Sequence, residues 1–290
     1  MENINFGKLI RNFRLAKRIE EKKLCKGLCS EITFGHYEKG TCFMDNLLAH
    51  RFLKRMGLEA DEIVLLLTEE EYDYFSWKEQ TRSALEEENW EELEELLKKK
   101  EIALELQYNE TLQVQYYYYI DSILDAVKRG NRKEAVKKLK FASQQTIPNN
   151  LDLKEILLSD LEIHILMLYL YYGVLEEILD DSSANLLFRQ LEAYLFDNDM
   201  ETKKQARLYP KLICMWINIM QDKISLAEQK RFCENTIHIL KQSKTMHDIT
   251  ELLRIYVFVL KGLQEEKICF YQKYLETFTA IFEQANISTK

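Results

Sequence analysis

Glycine and proline are scarce in this chain, with only 8 Gly and 2 Pro among 290 residues. Because these residues interrupt helices and form most tight turns, their scarcity excludes a loop-rich protein and predicts helices joined by short turns. The opening MENINFGKLIRNFRLAKR lacks the apolar stretch of a signal sequence, and the longest apolar runs are too short to cross a bilayer. We therefore predict an all-α, cytoplasmic protein that has no membrane contact and keeps its six cysteines reduced.

Signatures of catalysis are missing as well. The sequence contains no Walker loop and no G-x-G-x-x-G, G-x-S-x-G or H-E-x-x-H motif. Acidic runs such as Glu69–Glu71 and Glu86–Glu88 are typical of solvated helix faces. We therefore expect that the protein is not an enzyme and binds no cofactor.

Residue types that bind zinc do occur near the start of the chain, namely Cys25, Cys29, His36, Cys42 and His50. Their spacing differs from the paired C-x2-C and H-x3-H patterns of zinc sites. Cys25 and Cys29 fall on the packing side of a predicted helix, where thiols behave as small apolar side chains. We therefore predict no metal site.

Charge is distributed unevenly along the chain. Residues 1–60 contain 12 Lys and Arg against 7 Asp and Glu, a net charge of +5. The remaining 230 residues contain 28 Lys and Arg against 41 Asp and Glu, a net charge of −13. A basic head on an acidic body is typical of a protein whose head binds nucleic acid.

The segment Ser30–Gly40 predicts a short helix with both of its ends marked. Ser30 is a favourable N-cap, because its hydroxyl accepts a hydrogen bond from a backbone amide in the first turn. Gly40 suits the left-handed conformation with which many helices end. Phe34 and Tyr37 are three residues apart and share a face, so we expect them to pack inward.

Another face of this predicted helix carries Ile32, Thr33 and His36. In a helix-turn-helix such a face enters the major groove and meets base edges. Basic residues around the first helix are expected to contact phosphates, among them Lys8, Arg11, Arg14 and Lys17. The predicted DNA-binding residues are Ser30, Ile32, Thr33, His36, Lys39, Arg18, Lys22 and Lys23.

Flanking segments supply the core of this head. Phe6, Ile10, Phe13 and Leu15 predict an amphipathic first helix that ends near Arg18. Helical spacing places further leucines and a phenylalanine on inward faces. These additional core residues are Leu24, Leu28, Leu47, Leu48, Phe52 and Leu53.

Short motifs in the head resemble the Cro/C1-type (XRE) helix-turn-helix of Firmicutes regulators. They are Leu24–Ser30 (LCKGLCS), Tyr37–Gly40 (YEKG) and Arg55–Gly57 (RMG). The resemblance covers residues 6–67 and departs from the family at Gly35, where Ser is common, and at His36, where Arg is common. It implies a DNA-binding domain over residues 1–67, followed by a linker or connecting helix over residues 68–75.

From Trp77 onward the sequence predicts a series of helical hairpins. Asn89, Asn131 and Gly173 begin similar joints at a spacing of 42 residues, and another joint follows at Gly262. Helix pairs that repeat every roughly 34–47 residues are typical of an α-solenoid such as a TPR array. We therefore predict a TPR-like helical-repeat domain over residues 76–290. Its predicted helices span 76–87, 90–106, 111–129, 132–146, 151–172, 186–196, 201–221, 224–241, 249–260 and 265–285.

The body resembles that of the Rgg and PlcR-like group of peptide-sensing regulators, in which such a domain follows an XRE head. The similar stretches are Leu112–Tyr116, Thr146–Pro148 and Leu208–Pro210. The resemblance implies that the domain dimerises and senses a short peptide or a protein partner. Amide side chains suit the backbone of an extended ligand, and the candidates are Gln113, Gln115 and Asn218. Plain surface amides would explain these three residues equally well.

Two functions remain open on the sequence. The first is a transcriptional regulator that binds double-stranded DNA as a homodimer and senses a peptide or protein. The second is a protein-interaction scaffold whose head no longer binds DNA. Gly35 and His36 favour the second, because Gly weakens a helix interior by up to about 1 kcal/mol and neutral His is a weaker guanine ligand than Arg.

Overall fold

The computed structural model is all-α in the residues that it describes, which are 6–58, 69–106, 111–149, 152–196, 200–246 and 248–287. This confirms the predicted fold class. The helices are α1 (Phe6–Ala16), α2 (Glu21–Cys25), α3 (Glu31–Lys39), α4 (Asn46–Arg55), α5 (Glu69–Glu86), α6 (Trp90–Leu106), α7 (Thr111–Val127), α8 (Arg132–Gln144), α9 (Asp160–Leu175), α10 (Asp181–Leu195), α11 (Thr202–Met220), α12 (Leu226–Ser243), α13 (Ile249–Gly262) and α14 (Ile268–Ile287).

The chain forms two compact units, Met1–Asn185 and Leu186–Lys290. The first unit contains the four head helices together with α5 to α9. The predicted head boundary at residue 67 lies outside the described residues. Residues 69–75, part of the segment predicted as a linker or connecting helix, are the first turns of α5.

Helices α1 to α4 enclose the core of the head. Its fully buried side chains include Ile10, Leu24, Phe34 and Phe52. Leu15 was expected in this core, but the structure leaves it 54% exposed. Ile10 and the buried Arg14 occupy the inward side of α1, and Leu15 lies about 100° further round the helix.

The hairpins of the first unit pack around aromatic rings. Trp77 of α5 meets Tyr116 of α7 edge to face, with ring centroids 5.5 Å apart. Leu93, Ile120 and Leu124 fill the space beside them and are fully buried. An edge-to-face pair contributes roughly 0.5–1.5 kcal/mol beyond its buried area.

The predicted helix over 151–172 is wrong at its start. Residues Leu153–Glu155 form a short 3-10 helix, and α9 begins only at Asp160. Ser159 and Glu162 form a capping box, which fixes the first turn of α9 there. The predicted joint at Gly173 is wrong too, because α9 continues to Leu175.

The second unit has its own aromatic centre. The rings of Phe188 and Trp216 are stacked with centroids 4.2 Å apart, and Phe232 meets Phe188 edge to face at 5.5 Å. Helix α11 runs through Pro210 without ending. Within the described ranges, no helix is long and apolar enough to cross a membrane.

Candidate nucleic-acid interface

Helix α3 is held at both ends and along its inner side. The Ser30 hydroxyl accepts a hydrogen bond from the Thr33 amide at 3.1 Å, which confirms the predicted N-cap. Gly40 adopts a φ of 71° and donates its amide to the Tyr37 carbonyl, which confirms the predicted end. Phe34 packs edge to face on Phe52 with centroids 5.0 Å apart. The helix is therefore a fixed element with one side turned outward.

The outward side of α3 carries the side chains that the sequence predicted to meet base edges. Ile32 is 76% exposed, which is unusual for so large an apolar side chain. His36 and Lys39 are exposed, and Thr33 is half-buried. Ser30 is exposed at the N-terminal end of the same helix.

Exposed cations occur on the two preceding helices and their joint. Arg18, Lys22 and Lys23 all lie at the surface, as do Lys8, Arg11 and Lys17. Glu20, Glu21 and Glu31 are exposed in the same region, so the surface is mixed rather than uniformly positive.

Arg14 was expected to contact phosphate, and the structure contradicts this. Its guanidinium is buried and binds both oxygens of Glu38, with Nε–Oε1 and Nη2–Oε2 distances of 2.6 and 2.8 Å. It also donates to the Ile19 carbonyl and to Glu21. Glu38 follows Phe34 by four residues and so faces inward, a signal in the sequence that could have predicted this pair.

A buried ion pair that the sequence analysis missed joins the head to α9. Arg55 at the end of α4 donates from Nη2 to Glu162 Oε1 at 2.6 Å, and neither side chain is exposed. Arg55 Nη1 donates to the carbonyls of Leu24 and Lys26, at 2.9 and 2.7 Å. One guanidinium therefore ties the end of α2 to a carboxylate of α9.

Both oxygens of the Glu162 carboxylate accept several hydrogen bonds. It accepts hydrogen bonds from the Thr146 hydroxyl and from both the amide and the hydroxyl of Ser159, each at 2.7 Å. Burial alone would raise the pKa of Glu162, but the charges of Arg55 and Arg51 outweigh it and hold that pKa well below its usual range. The carboxylate therefore stays ionised in the interior.

Two of the three predicted peptide-contacting amides do not reach a groove. Gln115 is fully buried: its oxygen accepts from Arg51 Nη1 at 2.6 Å, and its nitrogen donates to the Ala142 carbonyl and the Thr146 hydroxyl. Gln115 therefore supplies an acceptor to the buried Arg51 guanidinium. Gln113 is buried as well. Asn218 is exposed on α11 and donates to Glu251 at 3.1 Å.

The cysteines are free thiols. Cys25 is buried, Cys29 is half-buried, and burial raises the pKa of Cys29 to about 12, which disfavours the thiolate that zinc requires. No group of three or more His, Cys, Asp or Glu side chains able to hold a metal ion occurs in the part of the chain that the structure describes.

His50 on α4 makes the stability of the first unit sensitive to acid. Burial lowers its pKa to about 3, and the positive charges of Lys78, Lys54 and Arg51 act in the same direction. The unfolded chain protonates this ring near pH 6.5, so the stability that depends on a neutral His50 is complete above about pH 6.5. It is lost progressively as the pH falls toward 3.

We expect the free energy of unfolding to fall by about 2 kcal/mol between pH 7 and pH 5 because of this one residue. Urea unfolding at both pH values measures the loss, and His50→Gln is expected to remove most of the difference. An unchanged difference in the variant would show that other groups cause it.

Similar folds occur among solved protein structures. The crystal structure of Bacillus thuringiensis PlcR in complex with the peptide PapR7 and DNA matches with a TM-score of 0.58 and 14% identity, over 99% of this chain and 98% of that chain. The SHP pheromone receptor Rgg2 of Streptococcus dysgalactiae matches with a TM-score of 0.48 and 15% identity, over 98% and 95%. No protein-family model matches the sequence, and no curated protein matches it significantly. At the level of the fold, the PlcR match confirms the resemblance seen in the sequence.

Proposed function

We propose that this chain is a transcriptional regulator that binds double-stranded DNA as a homodimer and senses a short peptide or a protein partner through its helical hairpins. The observation that carries this proposal is helix α3, capped at both ends and packed through Phe34, with Ile32 and His36 turned to solvent. PlcR, whose fold the chain shares over nearly its whole length, was crystallised with a peptide and DNA.

The proposed contacts divide by chemistry. Ile32, Thr33 and His36 meet base edges and give sequence specificity. Arg18, Lys22 and Lys23 neutralise phosphates and give affinity that depends on salt but not on sequence. Lys39 and Ser30, at opposite ends of α3, also contact phosphates.

A surface stripe on α14 supports the proposed homodimer. Phe270 and Tyr274 are four residues apart, with ring centroids 4.7 Å apart, and are 58% and 46% exposed. Phe278 continues the same side one turn later. A two-fold dimer would place two copies of α3 over inverted half-sites about one or two DNA turns apart.

Selection of random duplex DNA with the full chain tests the proposal. We expect enrichment of an inverted repeat. Replacing both Lys22 and Lys23 by Gln removes four lysines from the homodimer and is expected to reduce the slope of log affinity against log salt by about 3.6, since each phosphate contact contributes about 0.9. The matched control, Lys133→Gln with Lys137→Gln, removes two exposed lysines of α8 and should leave the slope unchanged. Absence of any DNA retention at low salt would favour the scaffold.

Of the three amides predicted to contact a peptide, only Asn218 is exposed, so we place the proposed peptide contact on the surface around it. Its amide meets Glu251, which also pairs with Arg254 of α13. An extended peptide could use both an amide and a guanidinium there for its backbone and carboxylate. We expect peptides enriched from a random library of short sequences to bind Asn218→Ala about fivefold more weakly than the natural chain. The control is Gln80→Ala, which removes an exposed amide from the surface of α5.

A further inference from the structure

The outward side of α3 has an unusual chemical make-up for a DNA-reading helix. It offers no Arg, Asn or Gln, the side chains that most often form paired hydrogen bonds with guanine or adenine. Between the exposed Glu31 and Lys39 at the two ends of the helix, the exposed side chains are an aliphatic one, Ile32, and an imidazole, His36. They are four residues apart and so lie one above the other on the same side of the helix.

Ile32 can offer a DNA base only apolar contact. In the major groove the one apolar group on a base edge is the C5-methyl of thymine. The neighbouring Thr33 hydroxyl already lies 2.8 Å from the Ser30 hydroxyl, inside the N-cap, so Ile32 presents the larger surface at this end of α3.

The hydrogen bonds of His36 determine which tautomer it adopts. The Thr41 hydroxyl lies 3.1 Å from the His36 carbonyl, to which it can only donate, and 3.0 Å from His36 Nδ1. A hydroxyl has one proton, so both contacts are hydrogen bonds only if Nδ1 carries a hydrogen and donates it to Thr41. In the neutral ring, Nε2 is then the acceptor on the exposed side.

We propose that α3 recognises thymine through the methyl contact of Ile32 and an exocyclic amino group, adenine N6 or cytosine N4, through His36 Nε2. These amino groups are the only base donors in the major groove. One helical turn of about 5.4 Å separates the two side chains, which corresponds to roughly one or two base-pair steps. This inference rests on the proposed function, and Thr41 acts in it as a positioning residue.

The thymine contact is tested on the selected duplex by replacing each thymine in turn with uracil, which removes only the methyl group. At one position per half-site we expect affinity to fall about fourfold, as for one buried methyl. Ile32→Ala should bind the thymine and uracil duplexes equally. Ile32→Val, which keeps a branched side chain, should retain the discrimination.

The His36 contact is tested with base analogues that lack the exocyclic amino group of adenine or cytosine. We expect one analogue to lower affinity about fivefold for the natural chain and to leave His36→Ala unaffected. Thr41→Val should lose this discrimination and Thr41→Ser should keep it. Nitrogen NMR of His36 in the DNA-free chain should show the hydrogen on Nδ1, a readout that a merely structural role of Thr41 would not predict.

The outcomes distinguish a failure of this inference from a failure of the proposed function. If the chain retains no DNA, the proposed function fails. If it binds DNA but tolerates uracil at every position, the role of Ile32 is overturned while the regulator stands. The role of His36 is overturned if NMR places the hydrogen on Nε2. It is also overturned if the chain binds both duplexes that lack an amino group as tightly as the natural duplex.

Discussion

Replacing Glu162 by Gln is expected to lower the free energy of unfolding by about 3–5 kcal/mol, which is the usual cost of removing one partner of a buried ion pair. Gln keeps the shape of Glu but leaves Arg55 and Arg51 buried without a compensating charge. The amide also cannot accept at both positions where the carboxylate now meets Thr146 and Ser159. Urea unfolding of the full chain, followed by far-UV circular dichroism, measures the loss.

Glu79→Gln is the control for this prediction. Glu79 pairs with Arg82 on the exposed side of α5, where such pairs contribute little. We expect no measurable change in its unfolding midpoint. If Glu162→Gln were as mild as Glu79→Gln, the interior would have to admit water to the two arginines.

Alanine at Gly27 is expected to be almost as damaging. Gly27 has a φ of 78°, a left-handed conformation in which other residues lose roughly 1–2 kcal/mol. A Cβ there would lie 1.9 Å from the Thr146 carbonyl oxygen, a backbone atom that cannot move without shifting the chain between α8 and α9. We expect a total loss of about 3 kcal/mol or more in urea unfolding.

Substitutions at two other glycines distinguish the cost of the left-handed backbone from the cost of the close approach to Thr146. Gly130 has a φ of 65°, but an added Cβ would meet nothing within 4 Å, so alanine there should cost only about 1–2 kcal/mol. Gly35 lies inside α3 with equally open space and ordinary helical backbone. Alanine at Gly35 should therefore stabilise the head by roughly 1 kcal/mol. Equal losses at Gly27 and Gly130 would rule out the close approach to Thr146.

Both large predictions concern the same junction between the head and the hairpins of the first unit. Gly27 lies against Thr146, Arg55 reaches from α4 to Glu162, and the Leu157 amide donates to the Lys23 carbonyl at 3.1 Å. The α2–α3 joint is thus held by the chain from Thr146 to Glu162 as well as by the core of the head. A displacement of the chain between α8 and α9 would therefore move the α2–α3 joint, from which the proposed DNA-binding helix α3 begins.

Local signals allowed the sequence to predict much of this molecule. The scarcity of Gly and Pro gave the all-α class, and Ser30 and Gly40 gave both ends of α3, because caps act within a few residues of the chain. The outward position of Ile32 and His36 followed from helical periodicity alone. Most hairpin helices were located in the same way.

Tertiary structure decided which partners the buried polar groups have, although the inward position of Glu38 on α3 was a local sign of its pair with Arg14. Arg55 and Glu162 are 107 residues apart in the chain, and no local pattern marks them as partners. Arg14, read as a phosphate ligand, turned inward to Glu38, and Gln115, read as a peptide ligand, turned inward to Arg51. A charged or amide side chain can be stable either in water or beside a buried partner. Only the packing of distant helices determines which of the two is available.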